Sequence, residues 1–283
     1  MGKKKRPVFT CLAVCLAAVI CVPVLIVVTG SVKSGNELAD SLRPVLSEDT
    51  GEYIRWKLPV LYPTLRHYIR LLIWTPDFFI VFWNSVKIAA MILAGQLLVS
   101  VPAAWAFAAF DWKRKHMLFT LYVVLMLLPF QVTMLPSYLV MNRLHLLNTH
   151  AAVILPAVFS TFPIFIMYRG FTAIPKEMME AARVEGAGEF AVFREIGIPL
   201  GSPGILSALV LGFLDNWNMM EQPLAFLREQ ALWPLSLYLP EIGTGQAGIA
   251  LAASVITLLP AALVFLLGQD YLEQGIAAAG IKA

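Results

Sequence analysis

Apolar runs long enough to cross a lipid bilayer constrain this chain more than anything else in it. The hydrocarbon core is about 30 Å thick, so a helical span needs about 20 predominantly apolar residues. Six runs meet or approach that length: roughly 8–29, 80–110, 117–138, 151–168, 203–224 and 247–268. Of the 283 residues, 59% are hydrophobic and only 14% are charged, where a soluble domain carries about 25% charged residues. The lipid bilayer is therefore the expected surrounding, and the expected class is all-α: a polytopic membrane protein with six transmembrane helices. A net charge of +3 is too small to point to nucleic acid. Three cysteines in a chain of this length exclude a disulfide scaffold.

Lys3, Lys4, Lys5 and Arg6 precede the first run, as in a cleaved signal peptide. The apolar part of such a peptide is about 7–15 residues long. This run is longer and no small-x-small cleavage site follows it, so an uncleaved anchor is expected. Val14 before Cys15 is too bulky for a lipoprotein cleavage site.

Basic residues set the orientation. With six spans, the Lys3–Arg6 cluster, Lys113, Arg114 and Lys115, and Arg169, Lys176, Arg183 and Arg194 all fall on one face. The short opposite loops carry only Arg143 and Arg228. The positive-inside rule then places both termini in the cytoplasm. The first outer loop, roughly 30–77, is basic too, with Lys33, Arg43, Arg55, Lys57, Arg66 and Arg70. It is long enough that its charge counts for less. Within it, Ser34-Gly35-Asn36 and the stretch Ser47 to Gly51 read as turns, and Trp56, Pro59, Tyr62, Pro63 and Trp74 as a stretch along the outer interface. The expected organisation is an anchor and outer loop over 1–77 and a core over 78–283.

The loop between the fourth and fifth runs, about 170–202, is the most informative segment. Pro175 suits the first turn of a helix, and Glu177 and Glu180 sit where the helix dipole favours negative charge. Gly186 suits a helix stop. A second short helix is expected from Glu189 to Ile196, ended by Pro199. Met178, Met179, Val184, Phe190 and Phe193 offer apolar anchors. Such a patch on a loop fits a protein partner, and it equally fits a helical pair packed under its own bundle.

The residues of this loop carry a resemblance. Glu180-Ala181-Ala182, three residues, Gly186, nine residues, then Ile196-Gly197-Ile198-Pro199 resembles the Glu-Ala-Ala loop of ABC-importer permeases, departing from it only in Ile198 for Leu. Glu180 to Ala187 is similar to the version in sugar-importer permeases, with Glu185 in place of Asp. Thr64-Leu65 with Tyr68, Asn84-Ser85, Trp217-Asn218 with Pro223-Leu224, and the tail Gly275-Ile276, Ala278 to Gly280 and Lys282 extend the resemblance over roughly 64–283. Met219 stands where an acidic residue is common.

The resemblance is to the second permease of the maltose-type carbohydrate importers, and it implies several things. The loop is a cytoplasmic coupling helix fitting a groove on an ATPase, with Glu180, Ala181, Ala182, Gly186, Ala187, Phe190, Ile196 and Pro199 as its coupling residues. The partners are a cytoplasmic ABC ATPase dimer, a second homologous permease and an extracytoplasmic solute-binding protein, in a bacterial inner or plasma membrane. ATP and Mg belong to the ATPase; this chain binds no cofactor and is not an enzyme.

The missing motifs agree. No Gly-x-x-x-x-Gly-Lys-Ser/Thr loop occurs, so hydrolysis falls to another chain. Gly243-x-Gly245-x-x-Gly248 fits a dinucleotide fingerprint, but it precedes an apolar run instead of joining a strand to a helix in a soluble βαβ unit. His67, His116, His145 and His150 sit in different loops and suggest no metal site. Cys11, Cys15 and Cys21 read as packing residues.

Polar side chains within spans usually face a bundle interior or a wet path. The fifth run carries Asp215, Asn216, Trp217, Asn218, Glu221 and Gln222. Counted from a start near Pro203, Asp215 falls about 18 Å along the helix, just past the midplane. Asp215, Asn216, Trp217 and Asn218, with Gln96 and Gln131, are the candidate lining of a translocation path; Ser100 and Thr133 are weaker. Polar glue between helices is the competing reading. A permease for a non-sugar solute, a channel, or a membrane enzyme using Asp215 and Glu221 are the rivals. The enzyme fares poorly, because six residues of helix leave the two carboxylates on different faces, about 9 Å apart along the axis.

Overall fold

The structure, a computed structural model, describes residues 6–46, 57, 59–238 and 246–280. The expectations on Lys3, Lys4, Lys5, the turn at 47–51, Arg55, Trp56, Gly243 to Gly245 and Lys282 lie outside the described residues. Within them, regular structure is helical, and strand pairing is limited to one isolated bridge between Lys33 and Pro63. The helices are α1 (Arg6–Ser31), α2 (Gly35–Leu46), α3 (Arg66–Trp74), α4 (Pro76–Ala109), α5 (Lys115–Met126), α6 (Phe130–Arg143), α7 (His150–Val158), α8 (Thr161–Thr172), α9 (Lys176–Val184), α10 (Glu189–Ala191), α11 (Ile198–Trp217), α12 (Glu221–Phe226) and α13 (Ala247–Gly280).

Five segments are long and apolar enough to cross a membrane: Thr10–Ser31, Pro76–Ala109, His150–Thr172, Glu189–Trp217 and Ala247–Glu273. The expected third span is a bent pair instead of a straight helix, α5 and α6 meeting at 101°. Pro129 is the cause: it is extended, with ψ 146°, at the entry to α6. Proline has no N–H to give and turns the residue before it away from helical geometry. Alone, the 12 residues of α5 reach about 18 Å, too short to span.

By packing, the chain divides into two compact units. The first comprises Met1–Phe79 and Tyr238–Leu259. Here the expected turn at Ser34-Gly35-Asn36 opens α2 instead. The Glu37 N–H donates to the Ser34 hydroxyl at 3.3 Å, the Ser-x-x-Glu arrangement that starts helices. Lys33 is fully buried; its ammonium donates to the Lys57 carbonyl and lies 3.7 Å from the Glu37 carboxylate. Its own carbonyl is 2.9 Å from His67 Nε2. The His67 ring packs against Gly248 in the first turn of α13. Gly248, the last glycine of the apparent nucleotide fingerprint, thus serves helix packing.

The second unit comprises Ile80–Leu237 and Pro260–Ala283. Its core gathers Val101, Ala104, Phe107, Ile164, Met167, Phe171, Ile174, Met179, Val192 and Ala208 among others. Helices α8 and α11 cross at glycine: a Cβ on Gly170 would lie 2.8 Å from the Gly204 Cα. The irregular chain after α12 is held by side chains at the start of α4. Asn84 donates to the carbonyls of Ala231 and Trp233 at 2.7 and 3.1 Å, and the Ser85 hydroxyl accepts the Leu235 N–H at 2.6 Å. Asn148 binds the same stretch, its Oδ1 accepting the N–H groups of Arg228 and Glu229.

Because backbone lies opposite Gly170, a side chain there cannot be relieved by a rotamer change. Gly170→Val is expected to destabilise the protein by about 1–3 kcal/mol, the range for overpacking, read as a lowered thermal midpoint in detergent.

Candidate functional site

The Glu-Ala-Ala segment is built as two short helical pieces on a left-handed glycine. Pro175 stands before α9 with φ −58° and ψ 132°, and α9 ends at Gly186, whose φ is +92°. That conformation is open to glycine at little cost and strained for any residue with a Cβ. The Gly186 N–H donates to the Arg183 carbonyl and the Ala187 N–H to the Ala182 carbonyl, both at 3.0 Å, closing the turn. The chain then enters α10 at Glu189.

Arg183 pins the two pieces together. Its Nε and Nη2 donate to the two carboxylate oxygens of Glu189 at 2.8 and 3.0 Å. That fork-to-carboxylate geometry is the strong form of an ion pair, and it keeps the Arg183 guanidinium charged above its ordinary range. The pairing was not anticipated from sequence, although opposite charges flanking a two-glycine turn were its available signal.

Beyond α10 the expected helix end at Pro199 is absent. Val192–Gly197 forms a π-helical turn that runs directly into α11, with Pro199 in the first turn. The wider π turn moves the carbonyl four residues back away from the proline ring, and the first turn of a helix needs no N–H from it.

The expected coupling residues fall on two faces. Ala182, Ala187 and Ile196 pack inward against the core, as Met179 does at 6% exposure. Glu180, Ala181, Gly186, Phe190 and Pro199 are exposed. The largest apolar exposures on the segment are Val184 at 89%, Phe190 at 73% and Met178 at 46%. The segment thus packs inward on one side and leaves large apolar side chains exposed on the other.

The polar residues of the fifth run are dispersed. Asp215 is exposed on α11, whose helix begins before Pro203 once the π turn is included. The helix stops at Trp217. The Asn218 amide donates back to the Leu214 carbonyl at 2.8 Å, and the Asn216 amide to the Gly212 carbonyl at 2.6 Å. Glu221 and Gln222 lie in α12, beyond the span. Gln222 is buried and donates to the carbonyls of Ala152 and Val153. Gln96, 3% exposed, donates to the Ala157 carbonyl at 2.9 Å. Trp217, also 3% exposed, sits between Phe82 and Phe213. Gln96 and Trp217 are thus engaged in helix packing here, Gln96 through the Ala157 carbonyl and Trp217 between two phenylalanine rings. Gln131, at the start of α6, reaches Glu221 at 3.3 Å, and both are exposed.

No three His, Cys, Asp or Glu side chains converge as metal ligands among the described residues. His67 and His150 are each engaged with a backbone carbonyl, of Lys33 and Leu232 respectively.

The sequence profile described as "Binding-protein-dependent transport system inner membrane component" matches residues 96–278. An arabinooligosaccharide transport permease of Halalkalibacterium halodurans is 34% identical over 204 residues, covering 71% of this chain and 73% of that protein. A lactose transport permease of Rhizobium radiobacter is 36% identical over 205 residues, covering 70% and 73%. Among solved structures, a bacterial ABC transporter that imports the acidic polysaccharide alginate superposes with a TM-score of 0.76 at 20% identity. It covers 96% of this chain and 99% of that one.

Gly186 and Gly188 both face open space, so substitution tests backbone conformation alone. Gly186→Ala is expected to cost about 1–3 kcal/mol at the turn, raising hydrogen exchange across α9. Gly188→Ala, at φ −70°, should leave that exchange unchanged.

Proposed function

The chain belongs to the binding-protein-dependent transport system inner membrane components, and from that premise we propose how it works as the permease of a carbohydrate ABC importer. It is a transport subunit, with ATP hydrolysis on a separate subunit. The solute is a sugar or oligosaccharide, a reading supported by the arabinooligosaccharide and lactose permeases it resembles. The core is 78–283, the termini are cytoplasmic, and the working unit adds a second homologous permease, an ATPase dimer and an extracytoplasmic binding protein. The family's description names dependence on a binding protein; the other partners follow from the Glu-Ala-Ala loop.

The single observation that carries the coupling role is the two-faced segment 176–199. One face is buried in the spanning core through Met179, Ala182, Ala187 and Ile196. The other presents Val184, Phe190 and Met178 to water. A cytoplasmic loop leaves large apolar side chains uncovered where a partner covers them. In this reading ATP closes the ATPase dimer, the segment moves with its groove, and the bundle opens outward to the docked binding protein. Hydrolysis resets it. Turning such an equilibrium from 1:99 to 99:1 takes about 5.5 kcal/mol of differential interaction, and a soft loop would dissipate that. The positive-φ glycine, the Arg183–Glu189 clasp and the buried inner face make it stiff.

The path is assigned to the exposed groups Asp215, Asn218, Gln131 and Glu221, with Asn216 half-buried beside them. Each can hydrogen-bond a hydroxyl-rich solute, and the second permease supplies the facing half.

Val184→Asp and Phe190→Asp are expected to leave insertion intact while weakening capture of the ATPase subunit by about 30-fold or more, as loss of a central interface anchor does. The check is co-purification from membranes in mild detergent, with uptake of labelled arabinotriose and lactose by cells carrying the whole transporter. Glu180→Lys should uncouple in the same assay. Normal uptake in all three variants would refute the coupling role.

A further inference from the structure

The Glu-Ala-Ala segment leaves the spanning core along α8 and returns through the π turn and α11. The Gly170–Gly204 contact ties these two arms to each other. Helix α4 packs against this pair through Val101, Ala104, Trp105 and Phe107, and Trp105 bridges both arms. Trp105, on α4, is 5% exposed. Its indole stands edge-on to Phe171 near the end of α8, with centroids 5.4 Å apart at 77°. It also lies tilted against Phe193 within the π turn, at 5.6 Å and 45°. Gly197, the last residue of that turn, abuts the same ring: a Cβ there would fall 2.6 Å from Cζ3 and 2.9 Å from Cε3. Met179 of the coupling helix and Val192 of the π turn belong to the same buried cluster. One rigid ring therefore touches both arms of the lever, in a space that only a glycine leaves open.

We propose that Trp105 is a positioning residue for coupling: the pivot that passes displacement of the Glu-Ala-Ala segment into α4. The inference rests on reading that segment as the ATPase-driven lever. Close-packed interiors transmit strain where voids absorb it, and an indole has only two side-chain torsions through which to yield. With the indole in place, neither arm can tilt without moving α4. Without it, the arms tilt into the vacated space and the stroke is lost locally. The π turn fits this role, since such turns occur frequently at functional sites.

The test uses the complete transporter with its ATPase, partner permease and binding protein, reconstituted in proteoliposomes. Uptake of labelled arabinotriose or lactose, ATP hydrolysis and the thermal midpoint are read together. Trp105→Ala is expected to lower sugar moved per ATP by about tenfold, with the ATPase still co-purifying and hydrolysis continuing. Trp105→Phe should keep most of the ratio. Gly197→Ala should lower it through the clash, and adding Trp105→Leu should restore it. A purely structural Trp105 would depress the midpoint and both rates in parallel at constant ratio, which would overturn the proposal. Should Trp105→Ala fail to assemble, absence of rescue in the Gly197→Ala, Trp105→Leu pair overturns it equally. Val184→Asp separates the two levels. Normal uptake in that variant, together with Phe190→Asp and Glu180→Lys, sinks the lever reading itself. Lost uptake there, with an unchanged ratio in the Trp105 variants, sinks only the pivot.

Discussion

Hydrocarbon offers no partner to a backbone N–H or C=O, and most of this chain's design follows from that. Within the bilayer only a helix satisfies its own backbone, so any break must be paired by other parts of the protein. Among the described residues, several breaks show how. Around Pro129 the missing donor is proline's own. After α12 the irregular chain is bonded by Asn84, Ser85 and Asn148. At 192–197 the helix widens without stopping. Buried Gln96 and Gln222 give their amide protons to carbonyls of α7, in the span that Pro156 interrupts. A span that contains a proline leaves carbonyls free for such donors.

The same constraint explains why the Glu-Ala-Ala segment has two characters. Its inner residues must be small or apolar to seat against spanning helices, hence Ala182, Ala187 and Ile196. Its outer residues leave Val184 and Phe190 exposed, and in the proposed reading another protein covers them. The paired alanines thus serve different sides: Ala181 is exposed and Ala182 packs inward. A motif that looks uniform in sequence is a helix with one face committed to the core and one left exposed.

The helical class and five of the spans were legible from hydropathy alone, because apolar length is a one-dimensional property. So was the turn at Gly186, since a lone glycine after a helical pattern has few other uses. The break at Pro129 could have been read from that residue but was outweighed by the apolar run around it. The π turn was not legible: an extra residue in a helix leaves no compositional mark, and Pro199 pointed to a stop. Ser34 reads as a turn because Ser, Gly and Asn also make turns; only its pairing with Glu37 distinguishes a helix start. Gln96 and Trp217 are ambiguous in the sequence for a deeper reason. A polar or aromatic side chain in a span is equally consistent with lining a path and with gluing helices. Only burial separates the two.

That separation leaves a consistent picture of the polar groups. Those that are buried, Gln96 and Gln222, each donate to main-chain carbonyls within the second unit and have little left to offer a solute. Among the exposed ones, Asp215 lies within the fifth span, where a carboxylate is costly to leave against lipid. Asn218 and Glu221 lie just past that span, and Gln131 at the start of α6 is within reach of Glu221. In the proposed reading these groups form one wall of a wet passage, and a second permease supplies the other. Under that proposal, bilayer energetics would favour pairing of two permeases as much as transport does, because exposed charged and amide groups sit poorly against lipid.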